Sequence, residues 1–267
     1  MDSSQMNVFR VIIIVCTLNS ALLFHGCGSS DSPSKEKANE TSGIENDSNI
    51  ATSKQVATPE KPVDPQLEVK AVFRTLLANR TEPDPDEWQT ADKQLTAFGK
   101  TAIPTLSAEM SSSDIAAREL ASMYLAGLGP EAKEAAPVLE QALQDESPLT
   151  QVNAASTLTH FPEYRDKAIP VLISLTKHMD ANTRLTAVYA LGSLDSHSDE
   201  QMGAIKAALN DSDSDVQLAA IKVLGQIGDP AKETLTDLQT LIDNTDTNEV
   251  LREAALSSKS QIEQAKQ

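Results

Sequence analysis

Side chains capable of covalent or acid–base chemistry are few and scattered in this chain. It has 2 Cys and 4 His in 267 residues. Cys16 lies inside an apolar run and Cys27 just after it. His160, His178 and His197 show no H-x-x-x-H or H-x-H spacing, as a zinc site built on one helix or strand would require. No G-x-S-x-G elbow, phosphate-cradling glycine loop, Cys–His arrangement or G-x-G-x-x-G fingerprint is present. Acids are plentiful, and Asp211, Asp213 and Asp215 alternate as in a calcium loop. Such a loop needs Gly at the sixth position and Glu at the twelfth; here those positions are Val216 and Lys222. The acids instead recur between periodic segments, as Asp145 and Glu146, then Asp211, Asp213 and Asp215, then Asp243 and Asp246. That placement predicts helix N-capping, where a carboxylate accepts free backbone N–H groups. Asp114 with Arg118, and Asp180 with Arg184, stand four apart and are expected to pair at helix starts. The residues therefore predict no catalytic group, no metal and no cofactor.

Composition narrows the field further. Lys+Arg number 22 against 39 Asp+Glu, a net charge of −17. Nucleic-acid binding needs clustered Lys and Arg, so that class is excluded. Aromatic residues are 3% of the chain, too few for a stacking platform or a β-sandwich core.

The elements that must position any site begin with the amino-terminal segment. Val11 to Phe24 read VIIIVCTLNSALLF, preceded by Arg10. As a helix this run rises about 21 Å, short of a hydrocarbon core of about 30 Å. It reads as a signal peptide rather than a span. Asp2 cancels Arg10, whereas a start at Met6 gives a net positive leader, so the start is read as Met1 or Met6. The run is followed by Phe24-His25-Gly26-Cys27-Gly28-Ser29-Ser30. This resembles the lipobox of bacterial lipoproteins, matched at Gly26 and Cys27 and departing from it at Phe24 and His25. The resemblance implies lipidation of Cys27 and an exported chain held at a cell-envelope membrane, facing the periplasm or exterior. Residues 28–65 are rich in Ser and Pro and poor in large apolar groups. Such a composition predicts a disordered tether, with a reach of about 35 Å r.m.s. as a flexible coil. The expected organisation is thus 1–27 signal peptide, 28–65 tether and 66–267 folded domain.

The folded part is a repeat. Ala121, Ala154, Ala187, Ala220 and Ala254 are spaced 33, 33, 33 and 34, and Leu125, Leu158, Leu191 and Leu224 follow the first four at i+4. Pro104, Pro137 and Pro170 recur at 33, with Gly203 and Thr236 in the next two slots. Two residues on come Leu106, Leu139, Leu172, Ile205 and Leu238. Each unit is expected to be a helix A, a short loop, and a helix B opened by Pro, which fits a first helical turn. The units are 86–112, 113–146, 147–179, 180–212 and 213–246, with capping helices near 66–80 and after 247. The fold class is all-α, an α-solenoid.

The segment Asp215-Val216-Gln217-Leu218-Ala219-Ala220-Ile221-Lys222-Val223-Leu224-Gly225-Gln226-Ile227-Gly228, with Arg184, Ala187, Ala190, Leu191 and Gly192 repeating its signature, resembles short HEAT-type repeats of the phycobilisome-lyase variety. The resemblance implies that helix B lines a concave face. Candidate binding residues are then Glu140, Gln144, Lys177, Lys206, Asn210 and Asp243. The function read from this is a non-enzymatic protein-binding scaffold with an unidentified protein partner, tethered through Cys27. The alternative is an accessory or chromophore-lyase-like factor acting on another protein.

Overall fold

The computed structural model describes residues 64–80, 84–195 and 197–265. The signal segment, most of the tether and Cys27 lie outside the described residues. Within them there is no strand.

The chain begins with α1 (Pro65–Ala78). Five hairpins follow: α2 (Pro85–Phe98) with α3 (Ile103–Glu109), α4 (Ile115–Leu128) with α5 (Ala136–Ala142), α6 (Pro148–Leu158) with α7 (Arg165–Leu175), α8 (Ala181–Gly192) with α9 (Asp199–Ala207), and α10 (Ser214–Ile227) with α11 (Leu235–Asp243). The array closes on α12 (Glu249–Gln264). These are the units the 33-residue spacing predicts.

Local chemistry sets the ends. Asp64, Asp84, Asp114, Asp180 and Asp213 each accept backbone N–H bonds at a helix start, as do Ser147 and Asn248. Each such cap contributes about 1 kcal/mol. Of the acids expected to cap, Asp213 does so; Asp145, Glu146 and Asp211 instead accept from arginines, and the caps beside them are Ser147 and Asp213. Helix A ends in units one, two and five at Gly99, Gly129 and Gly228, with φ of 52°, 52° and 72°. Only Gly enters that region without strain, and ψ near −125° puts it outside the ordinary left-handed helical cap.

Units three and four depart from this plan. Thr159 and His160 stand where the glycine would be, and the chain turns through extended Phe161 instead. Helix B then starts early, at Arg165, so Pro170 falls inside α7 rather than in its first turn. Pro104 and Pro137 do sit in the first turn, as expected. A proline in a helix interior removes one i→i−4 bond, here to the Asp166 carbonyl.

The two predicted columns form the core. Ala121, Ala154, Ala187 and Ala220 are fully buried, as are Leu125, Leu158, Leu191 and Leu224. Leu106, Leu139, Leu172, Ile205 and Leu238 are buried opposite them. Each large side chain contributes about 2 kcal/mol on burial. In α12 the buried alanine is Ala255, one residue beyond the predicted Ala254, which is only half-buried. Small residues bring neighbouring units close. A Cβ on Gly192 would overlap the Val223 side chain, and one on Gly225 would lie 2.7 Å from Ser258 Oγ.

Candidate binding surface

The six candidate residues lie along the helix-B layer and do not converge. Glu140 on α5 is joined to Lys167 of the next unit. That hydrogen bond holds the Lys167 ammonium above its ordinary pKa. Lys206 on α9 reaches Asp237 on α11 at 2.8 Å. Asp243 accepts from Gln239 at 2.8 Å. Gln144, Lys177 and Asn210 are exposed. This layer is thus a ladder of ion pairs and short polar side chains, with its opposite charges largely matched between units.

The helix-A layer differs. Neighbouring A helices pack against one another from α4 to α12, each against the next. Neighbouring B helices make much less contact with one another. In a curved stack the layer with closer spacing lies on the inside of the bend. The A helices are correspondingly buried on most sides, and α6 is buried at every position from Val152 to Leu158. What they leave open is a stripe of half-buried apolar groups: Met123, Leu149, Leu185, Tyr189 and Leu218. The sequence does carry a signal for it. Leu185 and Leu218 are 33 apart, and Tyr189 follows Leu185 by one helical turn.

The acids at the unit junctions are committed to structural donors. Arg118 is expected to pair with Asp114 but turns away from it. Its Nε donates to Asp145 Oδ2 at 2.7 Å, and one Nη donates to Glu146 at 2.8 Å. Arg184 likewise passes over Asp180 and donates to Asp211 Oδ1 at 2.6 Å and Oδ2 at 2.8 Å. The reason is competition: Asp114 and Asp180 are already held by the N–H groups they cap. Asp211 also accepts the Asp213 N–H, and its backbone carbonyl accepts Gln217 Nε2. The Arg184 hydrogen bond holds the Asp211 carboxyl below its ordinary range, and Asp211 in turn raises Arg184. Hydrogen bonds to Asp145 and Glu146 raise Arg118 in the same way. Among the described residues no three His, Cys, Asp or Glu are grouped to hold a metal ion.

His160 and His197 are each pushed below the ordinary histidine pKa, mainly by burial. They stand in separate loops and share no partner. A shallow cavity of about 390 Å³ between α1 and α2 is lined by Thr75, Asp86, Glu87, Thr90, Ala91 and Gln94. It holds no nucleophile–base pair.

Stacked two-helix units around a continuous Ala/Leu core, capped at both ends, define an α-solenoid. A family model described as HEAT repeats matches residues 103–178, 136–205 and 169–259. The chain belongs to the HEAT-repeat family. No curated protein sequence matches it significantly. Among solved structures it is similar to a designed armadillo repeat protein in complex with the peptide (KR)4, at 17% identity and TM-score 0.51, over 73% of this chain and 99% of that one. It is also similar to the complex of CpcE and CpcF of phycocyanin lyase from Nostoc sp. PCC7120, at 22% identity and TM-score 0.42, over 60% and 98%. Human deoxyhypusine hydroxylase in complex with glycerol matches at 17% identity and TM-score 0.31, over 75% and 97%. At these identities the likeness concerns the fold.

Proposed function

We propose that this chain is a non-enzymatic scaffold that binds a protein segment along its helix-A layer, exported and held at a membrane through a lipidated Cys27. The observation that carries the binding surface is the half-buried stripe of Met123, Leu149, Leu185, Tyr189 and Leu218 on the side where the A helices close up. Half-buried apolar groups surrounded by polar ones are the kind of surface a partner covers. The helix-B residues Glu140 and Lys206 are matched by neighbours within the array, so the proposed surface shifts from helix B to helix A. A partner of net positive charge suits an array that carries −14 of the chain's −17. The designed armadillo neighbour is in complex with (KR)4, which makes a Lys/Arg peptide the first ligand to try.

Affinity capture from an envelope extract tests the reading. Full-length protein, a Leu185→Glu/Leu218→Glu variant and a Gln144→Ala/Lys177→Ala/Asn210→Ala variant are compared. Loss of the captured partner in the first variant and retention in the second support it. The reverse pattern assigns binding to helix B and removes the proposal. Labelling with a palmitate analogue tests the anchor: wild type is tagged and Cys27→Ser is not. Equal tagging sinks it.

A further inference from the structure

We infer that copies of this chain join end to end, the outer side of α12 in one copy against the outer side of α1 in the next. In the body of the array one column of the A helices faces the following unit: Ser122, Ala155, Val188 and Ile221, spaced 33 apart. Ser122 Oγ accepts from Asn153 Nδ2 of the next A helix, and all four side chains are fully buried. The column continues into α12 at Leu256, by the same 35-residue step that carries Ala220 to the buried Ala255. Among the described residues no further unit stacks beyond α12, and Leu256 is 51% exposed. The array thus ends on a position that the four units before it bury.

Both terminal helices expose apolar groups, although a repeat that ends in solvent needs a polar outer side. Among the described residues five large apolar side chains are exposed, and three of them, Leu67, Val250 and Leu256, stand on α1 and α12. The charges beside them are opposite in sign. Lys70 and Arg74 are exposed on the side of α1 that carries Leu67, and Glu249 and Glu253 on the side of α12 that carries Leu256. Among the described residues none of these four side chains has an ion-pair or hydrogen-bond partner.

The spacing of these groups also matches. Along α1 come Leu67, Lys70 and Arg74, at steps of three and four. Read backwards, α12 gives Leu256, Glu253 and Glu249, at the same steps. Residues three and four apart share one side of a helix. Laid antiparallel, the two helices therefore bring Leu67 to Leu256, Lys70 to Glu253 and Arg74 to Glu249 in a single register. That complementarity of charge and spacing selects a second copy of this chain as the occupant. The two surfaces differ, so the contact is heterologous. Every open assembly keeps a free α1 and a free α12, and growth passes two copies unless a ring closes. One helix side per partner is a small interface, so association belongs to high concentration. None of the A-layer stripe residues takes part.

Sedimentation velocity of the full chain, in detergent and reductant from about 1 μM to about 1 mM, tests this. The wild-type sedimentation coefficient is expected to rise with concentration. Lys70→Glu/Arg74→Glu puts acids on both terminal helices, and Glu249→Lys/Glu253→Lys puts bases on both. Each variant by itself is expected to stay monomeric. Their equimolar mixture is expected to associate again, because each end then meets its opposite. Leu256→Gln changes no charge, is expected to weaken association roughly tenfold, and serves if a charge variant fails to fold. Leu185→Glu/Leu218→Glu is expected to associate as the wild type does, which separates this contact from partner binding on the A layer. A wild type that stays monomeric throughout overturns the inference. Association that neither the charge variants nor Leu256→Gln weakens overturns it too, as does a mixture that fails to recover or a loss confined to the A-layer variant.

Discussion

Replacing Thr150 with Val should stabilise the array, although a hydroxyl disappears. Thr150 is fully buried near the start of α6, and its Oγ1 has no hydrogen-bond partner. The register explains why. In unit four, Asp180 has a carboxylate that takes both the N–H and the hydroxyl of Thr183, at 2.7 and 2.8 Å. In unit three the capping residue is Ser147, with a single oxygen. That oxygen accepts the Thr150 N–H at 3.3 Å and donates to Glu119 at 2.8 Å, and the Thr150 hydroxyl makes no bond to it. A buried unsatisfied hydroxyl costs about 1–3 kcal/mol. The methyl group replacing it adds up to about 0.8 kcal/mol of burial. After allowing for a denatured chain that already buries part of this surface, a net gain of about 1 kcal/mol is expected. Thr183→Val is the matched control. It breaks a bond to a carboxylate and should cost about 1–2 kcal/mol. Urea unfolding followed by circular dichroism reads both, with the midpoint rising for the first variant and falling for the second at unchanged slope. If Thr150→Val destabilises as much as Thr183→Val, the hydroxyl has a partner and the reasoning fails.

Other predictions follow from the same contacts. Gly225→Ala should cost about 1–3 kcal/mol, because its new methyl meets Ser258 and Gln261 across the last junction, and thermal melting will show it. Arg118→Met should destabilise by about 3 kcal/mol by stranding Asp145, whose side chain is only 10% exposed, and restoring Lys should recover part of the loss. Asp211 has a folded pKa below its unfolded value, so its contribution is present above the unfolded pKa and is lost as pH falls through the folded one. Urea midpoints against pH in wild type and Asp211→Asn should therefore converge on the acid side. His160 and His197 also have depressed folded values, so the unfolded chain takes up their protons first as pH drops below about 6.5. Stability should fall through that window, less steeply in His160→Gln, and an unchanged slope would contradict the burial of that ring.

Most of the fold was legible because a repeat states each packing rule several times. One alanine column is ambiguous, but Ala121, Ala154, Ala187 and Ala220 at one spacing, each with a leucine four residues on, admit few arrangements other than stacked hairpins. The errors lie where copies differ. Pro170 looked like Pro104 and Pro137, but the missing glycine in unit three let its helix begin a turn early. The Arg118–Asp145 and Arg184–Asp211 pairs are not legible because each arginine has an acid four residues before it, and local pairing is the nearer reading. Their true partners are 27 residues away, a separation visible only when the two pairs are laid over each other. The A-layer stripe was hidden for another reason. Helices rich in Ala, Leu and Val read as buried all round, and sequence does not say which of their residues the neighbouring helices leave uncovered.

The glycines that face the next unit mean that the repeats are not interchangeable parts. Gly192 makes room for Val223, and Gly225 for Ser258. At the 31-residue offset of Gly192 and Val223, Thr159 corresponds to Ala190, a larger residue where Gly192 stands and a smaller one where Val223 stands. Removing unit four would bring Thr159 up to Val223, bulk against bulk. The order of the units is written in these sizes, and a chain assembled from copies of one motif has thereby become a sequence of particular neighbours.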